Sequence, residues 1–175
     1  FRKMSFEDVL EARRSIRKYQ DKEIDIKDVE KIIKAGILAP SAHNRQPWKV
    51  AILETSEKDE IAYTLEDKAG FDESKKNTAR IMKEAPILIA IYYDDKDGNR
   101  DDDMLSLGAF IENMHLKATE LGYGSLWIAN TSSIKEDINY ITSVGYECIS
   151  CLAVGYKDQN PKPRPRKTLE EIIIS

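Results

Sequence analysis

The sequence predicts a single α+β domain over residues 1–175, and three observations carry that prediction. Two amphipathic helix patterns precede any strand pattern, and strands then mix with helices without regular strand–helix–strand alternation. One apolar run, residues 86–93, has the continuous hydrophobicity of a strand covered on both faces. A chain of 175 residues is one domain's length, enough to bury a core of its own, and no internal repeat interrupts it.

Each element follows from local chemistry. Ser5 with Asp8 three residues on is a helix-start signature for a first helix running toward Arg13-Arg14-Ser15. A second helix starts at Asp25, carries Val29, Ile32, Ile33 and Ile37 at the spacing of one buried face, and ends before Pro40. Residues 48–53 read as a strand, and Ser56 caps a third helix through about Lys68. Residues 70–80 are polar and show no assignable pattern. Residues 86–93 form the clearest strand. The acidic stretch 94–103 fails as a calcium loop, because Gly98 in the sixth position puts Tyr93 first and Met104 twelfth, so it reads as a solvated turn. The longest helix, about 102–121, has a stripe of Leu107, Ile111, Met114, Ala118 and Leu121 and stops at Gly122. A short strand or extended turn over 123–128, a helix over 133–141 and a buried strand around Cys148 follow. An arm punctuated by Pro161, Pro163 and Pro165 ends in the apolar segment 169–174, which needs a surface to lie on.

Composition narrows the function. Hydrophobic residues at 41% and charged residues at 33% fit a soluble globular protein and argue against disorder. Against 31 Asp+Glu stand 27 Lys+Arg, a net charge of −4, which argues against a dedicated nucleic-acid binder. The longest apolar run is under half a membrane span. The N-terminal Phe1-Arg2-Lys3-Met4 leads into a helix without a signal-peptide core, so a cytoplasmic protein is expected, with its true start upstream. Cys148 and Cys151 have the spacing of a redox pair or half a zinc site. Positions three apart on a regular strand face opposite sides, however, and His43 and His115 are distant in sequence. Core cysteines with diverging thiols are therefore expected.

The chemistry-bearing signals are few. Neither standard phosphate loop is present, nor the helical zinc-protease or nucleophile-elbow motifs. With two histidines and no evident nucleophile, chemistry would come from a cofactor. Positive charge gathers in two clusters, Arg13, Arg14, Arg17 and Lys18 near one end and Lys162, Arg164, Arg166 and Lys167 near the other. Arg13, Ser15 and Arg17 share one side of an extended segment and could grip a phosphate or polyol; the alternative is a solvated basic helix end. Residues 39–48 pass from a helix stop through a polar loop to a strand. Ser41, Asn44 and Gln46 there offer donors and acceptors suited to a heterocycle edge, or simply satisfy a turn.

The string Arg13-Arg14-Ser15-Ile16-Arg17, followed after one helix by Ala39-Pro40-Ser41-Ala42-His43-Asn44-Arg45-Gln46-Pro47-Trp48, resembles the FMN-dependent nitroreductase family. Two later segments agree: Leu121-Gly122-Tyr123-Gly124-Ser125-Leu126-Trp127-Ile128, and Gly155-Tyr156 through Arg164-Pro165-Arg166-Lys167-Thr168-Leu169-Glu170-Glu171. The resemblance to a short-chain member covers nearly the whole chain. It implies a three-layer α/β/α sandwich with a mixed, mainly antiparallel central sheet, helices on both sides and an extended C-terminal arm. It also implies a homodimer with FMN at the subunit interface, no metal, and no membrane or nucleic-acid partner. On this resemblance Arg13, Arg14, Ser15 and Arg17 would hold the phosphate, ribityl chain and pyrimidine edge of FMN, with Arg164 and Arg166 closing on the phosphate. Pro40, Ser41, Ala42, Asn44 and Gln46 would reach the same flavin from the other subunit. Asn77 would lie near the pyrimidine ring, and Ala129 and Asn130 near the flavin face, where some relatives carry an acid and a glycine. The implied reaction passes a hydride from NADH or NADPH through flavin N5 to a nitroaromatic, quinone or similar acceptor, with no catalytic side chain. Dehalogenation, flavin cleavage, ring dehydrogenation and non-catalytic flavin binding stay open on the same fold.

Overall fold

The fold is described from a computed structural model over residues 4–96 and 98–174. Residues 1–3, which open the N-terminal reading, and Asp97 of the acidic stretch lie outside the described residues. The helices are α1 (Phe6–Ala12), α2 (Ile26–Ile37), α3 (Thr55–Ala69), α4 (Glu73–Glu84), α5 (Arg100–Glu120), α6 (Lys135–Thr142) and α7 (Leu169–Ile172). Four strands, β1 (Trp48–Leu53), β2 (Ile87–Tyr93), β3 (Gly124–Ile128) and β4 (Glu147–Gly155), form one sheet in the order β1-β2-β4-β3. All three pairings are antiparallel. The parallel component is a single bridge between Ser15 and Ser125 beside β3.

The sheet separates two apolar layers. On one side Ile61 and Leu65 of α3, Ile81 and Met82 of α4 and Ile138 of α6 pack on Leu88, Ala90, Tyr92 and Ala153. On the other, Val29 and Ile32 of α2 and Leu107, Phe110, Ile111 and Met114 of α5 pack on Ile89, Ile91, Leu152 and Val154. Every residue of β2 is buried, as its unbroken apolar sequence predicts. Beyond β4 the chain continues as an arm to α7, so the expected three layers and extended arm are present.

Caps set the helix starts. Ser5 and Asp8 make the reciprocal capping box of α1. Asp25 accepts from Lys27 N–H at the start of α2. Five expectations need correction. The unassigned stretch 70–80 contains most of α4, whose cap is Asp72, accepting from the Ser74 and Lys75 N–H groups. The third helix begins at Thr55, with no side-chain cap from Glu54 or Ser56, and the longest begins at Arg100 behind an Asn99 cap. The buried stripe of α2 is Val29, Ile32 and Gly36, whereas Ile37 is 48% exposed.

The fifth correction concerns the cysteines. Cys148 pairs with Tyr92, Ser150 with Ile91 and Cys151 with Ala90, so Ile149 is an extra residue in a β-bulge. The bulge resets the alternation, and both thiols point into the α3/α4/α6 layer instead of diverging. Both are free and buried. The hydrogen bond with Cys148, together with burial, holds the Cys151 thiol well above its usual range.

Candidate functional site

The two basic clusters are brought together by backbone pairing at both ends of the chain. After α1 the chain becomes extended at Arg13, and the Ile16 N–H donates to the Ser125 carbonyl at 3.0 Å, laying residues 13–17 against β3. Beyond β4 the chain returns along the same segment. Tyr19 bridges Lys157, Gln20 N–H donates to Tyr156 O at 2.9 Å, and Asp158 N–H donates to Lys18 O at 2.9 Å. Arg14 Nε then donates to Pro161 O at 3.2 Å, and its Nη1 caps the Glu11 and Arg13 carbonyls. The result is a cavity of about 800 Å³ whose lining includes Arg13, Arg14, Ser15, Arg17, Arg164 and Arg166. Lys162 also lines it, the one further cation there that the motif comparison leaves unassigned. Arg14 is committed to backbone carbonyls, and its bond to Pro161 O ties the arm to the core.

Helix α5 supports this segment from beneath. Arg13 Nε lies 3.6 Å from Glu112 Oε1. His115 is fully buried, with Nε2 at 3.2 Å from the Ser125 carbonyl, the same oxygen that Ile16 uses. Burial, aided by the neighbouring Arg13 charge, pushes the His115 pKa down to about 4. Desolvation raises Glu112 against the opposing pull of Arg13. A neutral imidazole can therefore donate to one carbonyl without adding charge beneath the basic cavity.

Arg17 is exposed, its Nη1 donating to Ser15 O at 3.3 Å. Asn77 Oδ1 accepts from Arg80 Nη2 at 2.8 Å, and the same nitrogen donates to the Arg17 carbonyl at 3.2 Å. Asn77 thus stands beside the basic segment through Arg80, a cation that the motifs did not single out because α4 itself carried no readable pattern. Asn130 is committed elsewhere, its amide donating to Ser74 Oγ at 3.2 Å and Thr78 Oγ1 at 3.1 Å. Ala129 is exposed at the end of β3.

The 39–48 loop lies apart from the basic cavity within one chain. Pro40, Ser41 and Ala42 line a separate depression of about 280 Å³ with Asp102, Leu105, Ser106 and Ala109 of α5. Asn44 and Gln46 are exposed beyond it. His43, Asn44 and Gln46 adopt left-handed backbone at φ 51°, 53° and 52°. Asn44 N–H donates to Ser41 O at 2.9 Å, Gln46 N–H to Ser41 Oγ at 3.0 Å and Ala42 N–H to Ser106 Oγ at 3.2 Å. Arg45, also missed by motif reading, turns inward to Asp103. Two charges 58 positions apart give no sequence signal of their pairing.

A protein of Archaeoglobus fulgidus, provisionally named NADH dehydrogenase/NAD(P)H nitroreductase, is 35% identical over 122 residues, covering 67% of this chain and 63% of its own length. A provisionally named nitroreductase from Desulfovibrio desulfuricans, solved in complex with FMN, superposes with a TM-score of 0.85 at 23% identity, over 99% of this chain and 98% of its own. A BluB-like flavoprotein from Clostridium difficile superposes with a TM-score of 0.82 at 28% identity, over 98% and 99% of the two chains. The model of the Nitroreductase family matches residues 10–156, from within α1 through the return strand β4, and by that match the chain belongs to this family.

Proposed function

We propose that the protein is an FMN-dependent oxidoreductase that takes electrons from NADH or NADPH and passes them to a nitroaromatic, quinone or similar small acceptor, acting in the cytoplasm where those nucleotides are supplied. The carrying observation is the convergence of two basic clusters, about 150 positions apart, on one cavity of a chain with net charge −4. Its donor set fits a phosphate monoester on a polyol chain: Arg13, Arg17, Arg164 and Arg166 supply charge-assisted donors, and Ser15 supplies a hydroxyl. The NAD(P)H nitroreductase name of the A. fulgidus protein and the FMN bound to the D. desulfuricans protein support FMN and NAD(P)H as the ligands.

When bound, FMN supplies a two-electron carrier that accepts and releases hydride at N5. The chain's own work is positioning and electrostatics. Arg17 is assigned to the pyrimidine edge, where a fixed cation favours the electron-rich state in a water-poor site. Asn77 is assigned to the pyrimidine ring and Ala129–Asn130 to the flavin face, and no side chain is required as acid or base.

A homodimer completes the proposal, because Pro40, Ser41, Ala42, Asn44 and Gln46 lie outside the basic cavity of their own chain. Apolar exposure supports it. Phe6 and Leu38 are 73% and 82% exposed and line a groove of about 470 Å³ with Val9, Ala35 and Leu116. Leu169, Ile172, Ile173 and Ile174 on the arm are also exposed. Among the described residues no helix is long and apolar enough to cross a membrane.

The purified protein should be yellow or become so with FMN, and should oxidise NADH or NADPH once a nitroaromatic or quinone is added. A colourless preparation that cannot be reconstituted would refute the reading, and bound flavin that neither nucleotide reduces would leave a binding module instead of an enzyme. Arg17→Ala and Arg166→Ala should each weaken FMN binding by about 1.5–3 kcal/mol, the value of a hydrogen bond to a charged group. Sedimentation should give a dimer.

A further inference from the structure

The polar loop between α2 and β1 is anchored by a buried ion pair that flavin binding does not itself call for. Arg45 Nε donates to Asp103 Oδ1 at 2.9 Å, and Nη2 lies 2.9 Å from the same oxygen. Tyr93 Oη donates to Asp103 Oδ2 at 3.1 Å. The Asp103 side chain is 1% exposed and that of Arg45 16%. The following loop closes over the pair at Gly98, where a Cβ would stand 2.4 Å from Asp103 Oδ2 and 2.5 Å from Arg45 Nε. Glycine is required there by space.

Stability alone does not explain this cluster. Well-packed apolar side chains generally serve a buried site as well as an ion pair does, whereas an ion pair imposes direction. Direction is what the loop needs. His43, Asn44 and Gln46 all occupy left-handed backbone that non-glycine residues seldom adopt, and such conformations persist only where surrounding contacts over-determine them. Arg45 sits among these three residues, and its guanidinium fork is the inward anchor, while Asn44 and Gln46 stay exposed.

We propose that Arg45, fixed by Asp103, is a positioning residue for the cofactor: the pair holds the loop in the conformation that presents Asn44 and Gln46 to the flavin edge. This rests on the proposed function, in which those two side chains meet FMN. Arg45 touches no ligand in this account and acts through its neighbours.

The test measures two quantities on the full chain, FMN affinity and the thermal midpoint without added FMN, for Asp103→Asn, Arg45→Met and the double variant Arg45→Met/Asp103→Leu. Each single variant should lower both, with FMN affinity falling roughly tenfold or more, as for loss of one directed charged bond. The double variant should recover the midpoint, since no charge is left buried alone, but not the affinity. At saturating FMN its visible circular dichroism should differ from the wild type, reporting an altered flavin environment. Recovery of both quantities in the double variant would make the pair merely structural and overturn the proposal. So would unchanged FMN affinity in all three variants while Arg17→Ala and Arg166→Ala lose it. If those two cavity variants also retain full affinity, the flavin-site reading itself fails. A single variant that does not fold leaves the double variant to decide.

Discussion

His115 shows how one side chain converts burial into a constraint on the basic cavity. Its ring joins the Ser125 carbonyl and lies under Arg13, so protonation would place a second buried cation beneath an arginine cluster. The pH consequence follows from the direction of the shift. In the unfolded chain the imidazole takes up its proton near 6.5, but in the folded protein only near about 4. Between those values the unfolded state binds more protons, so stability rises with pH through that window and is lost as pH falls across it. The thermal midpoint is expected to drop between pH 7 and pH 4, and His115→Asn, which keeps a donor for Ser125 but cannot titrate, should flatten that slope. An unchanged slope in the variant would assign the acid sensitivity to carboxylates instead. Nothing in the sequence pointed to this role. His115 was visible as one of two histidines, but its partner oxygen belongs to a strand ten positions on, and the resulting contact with residues 14–16 is a product of tertiary packing.

Helix α2 carries a prediction against simple propensity. Gly36 lies inside the helix, where alanine would normally be preferred by about 1 kcal/mol. A Cβ at this position would meet Met114 Cγ at 2.8 Å and Phe110 Cε2 at 2.9 Å. The methionine can yield. Phe110 cannot, because its ring is buried and stacks on Trp48 with centroids 4.8 Å apart. Gly36→Ala should therefore destabilise the protein by about 1–3 kcal/mol, measured by urea unfolding, despite the gain in propensity. The same site explains why the α2 stripe was misread at Ile37. Periodicity marks where apolar residues recur, but a close helix crossing selects the smallest residue, which carries no hydrophobic signal. Elsewhere the legibility of elements tracked the strength of local chemistry. β1 falls on 48–53 as expected, and α1 and α2 begin at their capping residues. Helix α4 was invisible because its outer face is almost wholly charged, and its core contribution rests on a few residues such as Ala79, Ile81 and Met82. The bulge at Ile149 was invisible for another reason: a one-residue insertion leaves composition untouched yet moves a thiol from one layer to the other.

Across the whole molecule, charge is distributed so that an acidic protein holds a cationic recess, and the resemblance motifs made that recess legible while its mode of closure was not. The two clusters meet within one chain through main-chain pairing of 18–20 with 156–158 and the Arg14–Pro161 bond, contacts that encode no side-chain motif. The described residues beyond Asn160 are almost entirely exposed within one chain, so ending the chain at Asn160 should leave the core folded while removing Arg164, Arg166 and most FMN affinity and, with the apolar arm segment gone, weakening the dimer. Raising ionic strength should mimic part of that loss by screening the exposed cations. The order of these contacts along the chain also has a consequence for biosynthesis. All four strands of the sheet are complete by Gly155, whereas the cavity needs Arg164 and Arg166 to meet residues 13–17. On a ribosome the strands of the core emerge before Arg164 and Arg166, so the core can fold ahead of the cavity that those residues complete.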